Sequence, residues 1–266
     1  MTRTGIASLL ALGLLGCAEA GKYTDQASRA TVDTLLPVAE ENKIGKQLSA
    51  ELEKKVSLLA SEPVQQYIRS LGGKVVAAAQ GKPKGIRFTF KVIADDKTVN
   101  AFAMPGGFVY VYTGLLKKAS DEAELMSVLS HEVSHVTERH VAERLIAANG
   151  IQVVTELALG AKPDLLGQLV AGIVSNGFLL TYSRDQEREA DSKGLATEVK
   201  AGYDPNGFVS FFKKLDDGTP ALLAILSSHP ATQERIASAQ TWIRQHGSVP
   251  TERGAAAYQA MRAQLP

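Results

Sequence analysis

His131-Glu132-Val133-Ser134-His135 is the stretch on which the reading of this chain turns. On an α-helix, positions four apart are separated by about 400°, so the two imidazoles lie about 40° apart on one face, one turn above the other. Two rings so placed can reach one Zn²⁺. Glu132 follows the first histidine directly and can take a proton from a water activated beside the metal. H-E-x-x-H is a signature of zinc-dependent peptide hydrolysis. Chance would produce it in roughly one in a hundred chains of this length. Its surroundings therefore decide between a metal site and the polar face of an ordinary helix.

Those surroundings are helical. Ser120 is placed to cap a helix with Asp121 and Glu122 in its first turn. Leu125, Val128, Leu129, Val133, Val136 and Leu145 continue an apolar stripe at three- and four-residue spacing, and Asn149-Gly150 reads as a stop. The expectation is one long helix over 121–148. A catalytic zinc needs three protein ligands. Downstream, Glu187 and Asp191 are four apart and share a helix face. Glu187 can serve as the third ligand, and Asp191 can accept the free ring N–H of a liganding histidine. Glu189 points about 200° round the helix from Glu187. Taken alone, this segment also reads as a charged surface helix.

Before the motif, Ile86–Ile93 alternates and is rich in β-branched and aromatic residues, so it reads as a strand. Val99–Phe102 and Phe108–Tyr112 read as short strands, parted by Pro105-Gly106-Gly107. His229 precedes Pro230, which suits the first turn of a helix running through Arg235, Ile236 and Trp242. It also reads as a capping or internally satisfied histidine. His140, five residues beyond His135, lies about 140° off the ligand face of a continuous helix and is excluded as a ligand. His246 reads as exposed.

Several segments, in order, resemble the HtpX/Ste-type zinc metallopeptidases, the gluzincin family that includes the CAAX prenyl proteases and the Oma-type mitochondrial proteases. They are Asn100-Ala101-Phe102-Ala103-Met104-Pro105-Gly106-Gly107, Val128 to Val136 with His140, Glu187 to Asp191 as E-x-x-A-D, Ala201 to Pro205, and Ser228-His229-Pro230. The resemblance covers roughly residues 38–245 and is nearest to the LoiP/BepA-like branch of outer-membrane lipoproteins, without a helical-repeat domain. It implies an α+β, mostly helical, zincin-like fold with a small antiparallel sheet beside a long active-site helix. It implies one Zn²⁺ per chain, held by His131, His135 and Glu187, with Glu132 as the base. Asp191 and Arg235 would stand behind the ligands. The edge strand Asn100, Ala101, Phe102 and Ala103 would pair with an extended substrate, whose side chains are then read loosely. Asn100 to Gly107 can also be a structural hairpin turn, and both readings can hold together. In relatives the histidine at the position of His229 faces the zinc, where it either donates to the oxyanion or fills the open position at rest.

Composition agrees with one catalytic domain. The 266 residues carry a formal charge of +1, which gives no reason to invoke nucleic acid. Ile6 to Leu15 is an apolar run too short to span a bilayer. Leu14-Leu15-Gly16-Cys17 resembles a lipoprotein processing site, and Cys17 is the only cysteine. The organisation expected is a signal peptide over 1–17 with Cys17 lipidated, a tether over 18–37, a peptidase domain over 38–250 with leading helices 38–60 and 62–79, and a tail over 251–266. Ala18 after the cysteine points to the outer membrane, facing the periplasm. Ile151–Leu180 is apolar but broken by Lys162-Pro163-Asp164, so it reads as packing beside the active helix, with a lid as a further option. The function expected is hydrolysis of unfolded or misfolded envelope proteins. The alternative is a mostly latent protease that assists the outer-membrane assembly machinery.

Overall fold

The computed structural model describes residues 29–160, 163–176, 181–215, 223–229 and 233–266. Cys17, the leader, most of the tether and Pro230 lie outside them.

A short helical stretch over 29–35 leads into α1 (Val38–Leu52), which follows Pro37 and carries Glu40 and Glu41 in its first turn. Its buried residues Ile44, Leu48 and Leu52 recur every four positions. The chain then turns, so the helix expected to reach residue 60 stops eight residues earlier. α2 (Glu62–Ala78) is the second expected helix, with Pro63 in its first turn and Val64, Ile68, Leu71 and Val75 buried.

Three strands follow: β1 (Thr89–Ile93), β2 (Ala101–Met104) and β3 (Phe108–Tyr112). Their order is β1-β3-β2. β2 and β3 form an antiparallel pair around the turn Pro105–Gly107, where Gly106 and Gly107 take φ of 78° and 85°, a region that favours glycine. β1 runs parallel to β3, with Thr89 opposite Phe108. The sheet is therefore mixed rather than antiparallel throughout, because the connection after β1 returns the chain to the far side of β3. β2 is a free edge. The sheet is covered on both faces. Ala101, Ala103, Val109 and Val111 join a cluster with α2 and the helices that follow, while Phe102, Met104 and Tyr110 join a second cluster under α1.

After α3 (Thr113–Lys118) comes α4 (Glu122–Thr137), buried over its whole length. Its cap is Asp121, whose side chain accepts from Glu124 N at 3.0 Å. Ser120 does not cap it; its backbone N–H donates to Glu124 Oε2 instead. The expected single helix over 121–148 is two. Arg139, with φ 68°, is the one non-glycine residue at positive φ among the described residues. This left-handed residue ends α4 and starts α5 (His140–Ala158) in a new direction. The guanidinium is held by Asp33 Oδ1 at 2.9 Å, the Leu36 carbonyl at 2.7 Å, and Glu41. These distant partners compensate a conformation that costs a side-chain-bearing residue about 1–2 kcal/mol. Asn149-Gly150 does not stop α5; Gly150 kinks it (φ 75°, ψ 155°), and the helix resumes.

α6 (Pro163–Asn176) packs on α1, with Leu169, Val170 and Ile173 buried in the second cluster. α7 (Arg184–Lys200) lies along α4. It opens with a capping box in which Ser183 and Gln186 exchange side-chain and backbone bonds. A Cβ on Gly194 would stand 3.3 Å from His131 N, so the glycine lets α7 approach α4 at the motif. α8 (Asn206–Lys214), α9 (Leu223–Ser228) and α10 (Gln233–His246) follow. Residues 251–266, set apart by sequence as a tail, carry α11 (Ala255–Arg262) with Tyr258 and Met261 buried. Among the described residues no helix is long and apolar enough to cross a membrane.

Candidate metal centre

α4 supplies His131 and His135, α7 supplies Glu187, and the residue after α9 supplies His229. All four are buried, and their ligand atoms lie within 4.8 Å of one another. His131 Nε2 and His135 Nε2 are 3.0 Å apart. His229 Nδ1 stands 3.2 Å from His131 Nε2 and 2.9 Å from Glu187 Oε1, which is itself 3.4 Å from His135 Nε2. A tetrahedral ion bonded at 2.0–2.1 Å would set its donors about 3.3–3.4 Å apart. Imidazole lone pairs and a carboxylate turned on one buried point repel unless a cation lies among them. The donor set thus fits a divalent metal. Among the described residues no other group of histidine, cysteine or acidic side chains converges in this way.

The supports behind the donors are also in place. Asp191 Oδ1 lies 2.9 Å from His131 Nδ1. Arg235 closes on the same carboxylate in a fork, Nε to Oδ2 at 2.7 Å and Nη2 to Oδ1 at 2.6 Å. Its third nitrogen, Nη1, reaches Glu187 Oε2 at 2.7 Å. One guanidinium thus orients the carboxylate at the donor point and the one behind it, while stacking over Phe212. Glu132 turns toward the sheet, where its Oε2 accepts from Ala103 N at 3.0 Å, and its Oε1 stands 3.4 Å from His229 Nε2. β2 therefore meets the motif directly. The Ala101 N–H on the same edge donates to the Asn100 side chain.

A family model, Peptidase family M48, matches residues 62–243. The chain belongs to peptidase family M48. Within that family it is 33% identical over 184 residues to the mitochondrial metalloendopeptidase OMA1 of Schizosaccharomyces pombe, covering 68% of this chain and 53% of the relative. It is 35% identical over 205 residues to a putative beta-barrel assembly-enhancing protease of Vibrio cholerae, covering 70% and 40%. It is 30% identical over 217 residues to the beta-barrel assembly-enhancing protease of Escherichia coli K12, covering 77% and 44%. The match spans about half or less of the length of these relatives.

Electrostatics in this M48 site follow from burial against close charges. Burial raises the Glu132 carboxyl above its ordinary value, with His229 and His131 only partly opposing it. Burial pushes His135 well down, which keeps its ring neutral as a ligand must be. Burial also opposes ionisation of Glu187, but His229 and His131 beside it hold the carboxylate well below the usual range. Asp191 is likewise held low, burial notwithstanding, by Arg235.

His131, Glu132, His135, Glu187, Asp191, His229 and Arg235 are brought together here; of the expected edge strand, Ala103 touches Glu132, while Phe102 packs in the second cluster. Three others were not foreseen. Tyr182 stacks on the His135 ring, centroids 3.7 Å apart and planes within 13°. His140, excluded as a ligand on the angle of a continuous helix, touches His135 from behind, Nδ1 to Nδ1 at 3.0 Å. Glu189, set aside as pointing away, meets His140 Nε2 at 3.1 Å. The H-x₄-H spacing of His135 and His140 was the available signal. It stayed silent because a continuous helix was assumed.

Proposed function

We propose that this chain is a zinc-dependent endopeptidase that cuts extended segments of unfolded proteins. The observation that carries the reading is the convergence of a buried His–His–Glu donor set, an adjacent carboxylate and the edge strand of a sheet on one point. His131, His135 and Glu187 would hold the ion; imidazole and carboxylate donors suit zinc. When bound, zinc supplies the Lewis acidity that activates water near neutral pH and polarises a peptide carbonyl. The protein's own groups do the rest. Once released from the Glu132 and Asn100 side chains that hold them here, the outward N–H groups of Ala103 and Ala101 would offer backbone bonds to an extended peptide, so selection among side chains is loose. Glu132, one residue from the donor pair and touching that edge, takes the proton of the attacking water and delivers it to the departing amine. Arg235 and Asp191 hold Glu187 and His131 in place while this happens.

A second reading is a mostly latent protease that acts as an assembly factor for outer-membrane proteins. What favours it is His229, whose Nδ1 occupies the fourth donor place, together with a Glu132 engaged by the Ala103 N–H. Both engagements would have to open before a peptide entered. The names of the bacterial relatives, beta-barrel assembly-enhancing proteases, support a place beside that machinery. The Leu14-to-Cys17 run supports lipidation at Cys17 and anchoring in the outer membrane, facing the periplasm. Loss of membrane fractionation on Cys17→Ser would uphold the anchor; retention would refute it.

The test is cleavage of unfolded casein by the full chain beside Glu132→Gln, with zinc measured in both. Cleavage by wild type alone, at equal zinc content, supports the peptidase and its base. Zinc in both with cleavage by neither supports the latent form. Equal cleavage by both removes Glu132 from the mechanism.

A further inference from the structure

His135 turns Nε2 into the donor cluster and Nδ1 out of it. The outward nitrogen meets His140 Nδ1 at 3.0 Å, and His140 Nε2 meets Glu189 Oε2 at 3.1 Å. His140 is buried, with 3% of its surface exposed. The contact exists because Arg139 breaks the helix. On a continuous helix His140 would face about 140° away. The left-handed residue instead starts α5 on His140 with the ring folded back against His135.

The chemistry of a ligand fixes the protons along this line. An imidazole bound through Nε2 carries its hydrogen on Nδ1 and needs an acceptor for it. The acceptor within reach is His140 Nδ1, and His140 Nε2 on the other side of that ring faces the Glu189 carboxylate as its donor. Each of the paired motif histidines then ends on a carboxylate: His131 directly on Asp191, and His135 through an intervening imidazole on Glu189. We infer that His140 and Glu189 are positioning residues of the metal centre, holding the His135 ring and its Nδ1 proton so that the Nε2 lone pair faces the ion. This rests on His135 being a ligand, as proposed above. It assigns work to the two residues that helical periodicity set aside.

The test compares two substitutions with opposite losses. His140→Phe keeps a buried ring and removes the acceptor. His140→Gln loses the ring and keeps an amide oxygen able to accept. Zinc affinity is read by competition with a chromogenic chelator, and folding by thermal melting of the metal-stripped proteins. Loss of such a supporting partner weakens metal binding by about 10–100-fold. That weakening is expected for His140→Phe, with His140→Gln close to wild type. Wild-type affinity in His140→Phe, or a loss in His140→Gln as large as in His140→Phe, would make the role one of packing and overturn the inference. If His140→Phe does not fold, Glu189→Ala serves. It should weaken zinc in the same direction by freeing the His140 tautomer, and unchanged affinity would refute the relay. His135→Ala separates the two levels of the argument. It must lose zinc; retention would overturn the ligand reading and the relay with it.

Discussion

Glu198, three turns along α7 from Glu187, is fully buried, and neither of its carboxyl oxygens has a hydrogen-bond partner among the described residues. Burial first, and the Asp204 and Asp121 charges after it, push its pKa well above the ordinary 4.5, against a weaker pull from Arg253. The folded protein therefore keeps this carboxyl protonated where the unfolded chain has already released the proton. Above the ordinary carboxylate pKa the unfolded state binds fewer protons, so this group's contribution to stability is full at low pH and drains away as pH rises toward the folded value. The slope is about 1.4 kcal/mol per pH unit. Glu198→Gln keeps the shape and cannot ionise. Urea unfolding of metal-stripped wild type and variant should show the variant gaining with pH. Above the ordinary carboxylate value the gap should widen by about 1.4 kcal/mol for each pH unit, as long as the folded carboxyl stays protonated. Every other titrating group is common to both proteins and cancels in the difference. A gap that stays flat with pH would refute the reasoning, and one that narrows would reverse its sign.

Three further predictions bear on the site and its frame. A Cβ at Gly45 would collide with the Pro105 carbonyl, where α1 closes on the β2–β3 turn and Glu41 accepts from Gly106 N; Gly45→Ala should cost about 1–3 kcal/mol in urea unfolding, and no loss would mean that contact is loose. His229→Ala should leave one zinc per chain and tighten binding of a hydroxamate inhibitor by freeing the fourth donor place; unchanged affinity would show that His229 does not compete for it. Because burial raises Glu132 above its ordinary 4.5, kcat/KM should fall as pH drops through a value higher than that, and an acid limb at the ordinary carboxylate value would contradict the assignment.

The parts of this molecule governed by local rules were legible in its sequence. The four-residue spacing of His131 and His135 and of Glu187 and Asp191 placed each pair on one face of its helix, and α7 delivers both acids to α4 through the close approach at Gly194. The resemblance to known metallopeptidases carried what spacing could not, the placing of His229 and of β2 beside the motif. What escaped depends on contacts distant in the chain. Arg139 carries no glycine-like signal; its left-handed turn exists because Asp33, Glu41 and the Leu36 carbonyl hold it. That turn reorients His140, so a correct angular argument about a continuous helix gave the wrong direction for the ring. Ser120 and Asp121 are equally good caps by type. The choice between them is made by Arg253, whose guanidinium fixes the Asp121 carboxylate from 132 residues away. The parallel β1–β3 pairing likewise has no signature in alternation, which marks strands and not their direction.

The proposed metal is held by His131, His135 and Glu187, with His229 beside it. Zinc-edge X-ray absorption on the full chain tests it most directly. The spectrum should show one zinc per chain in a four-coordinate nitrogen and oxygen shell at about 2.0–2.1 Å, with the outer-shell pattern of imidazole. This pattern should weaken in His229→Ala and collapse in His131→Ala. An oxygen-only shell without imidazole scattering, or a spectrum unchanged by His131→Ala, would contradict it.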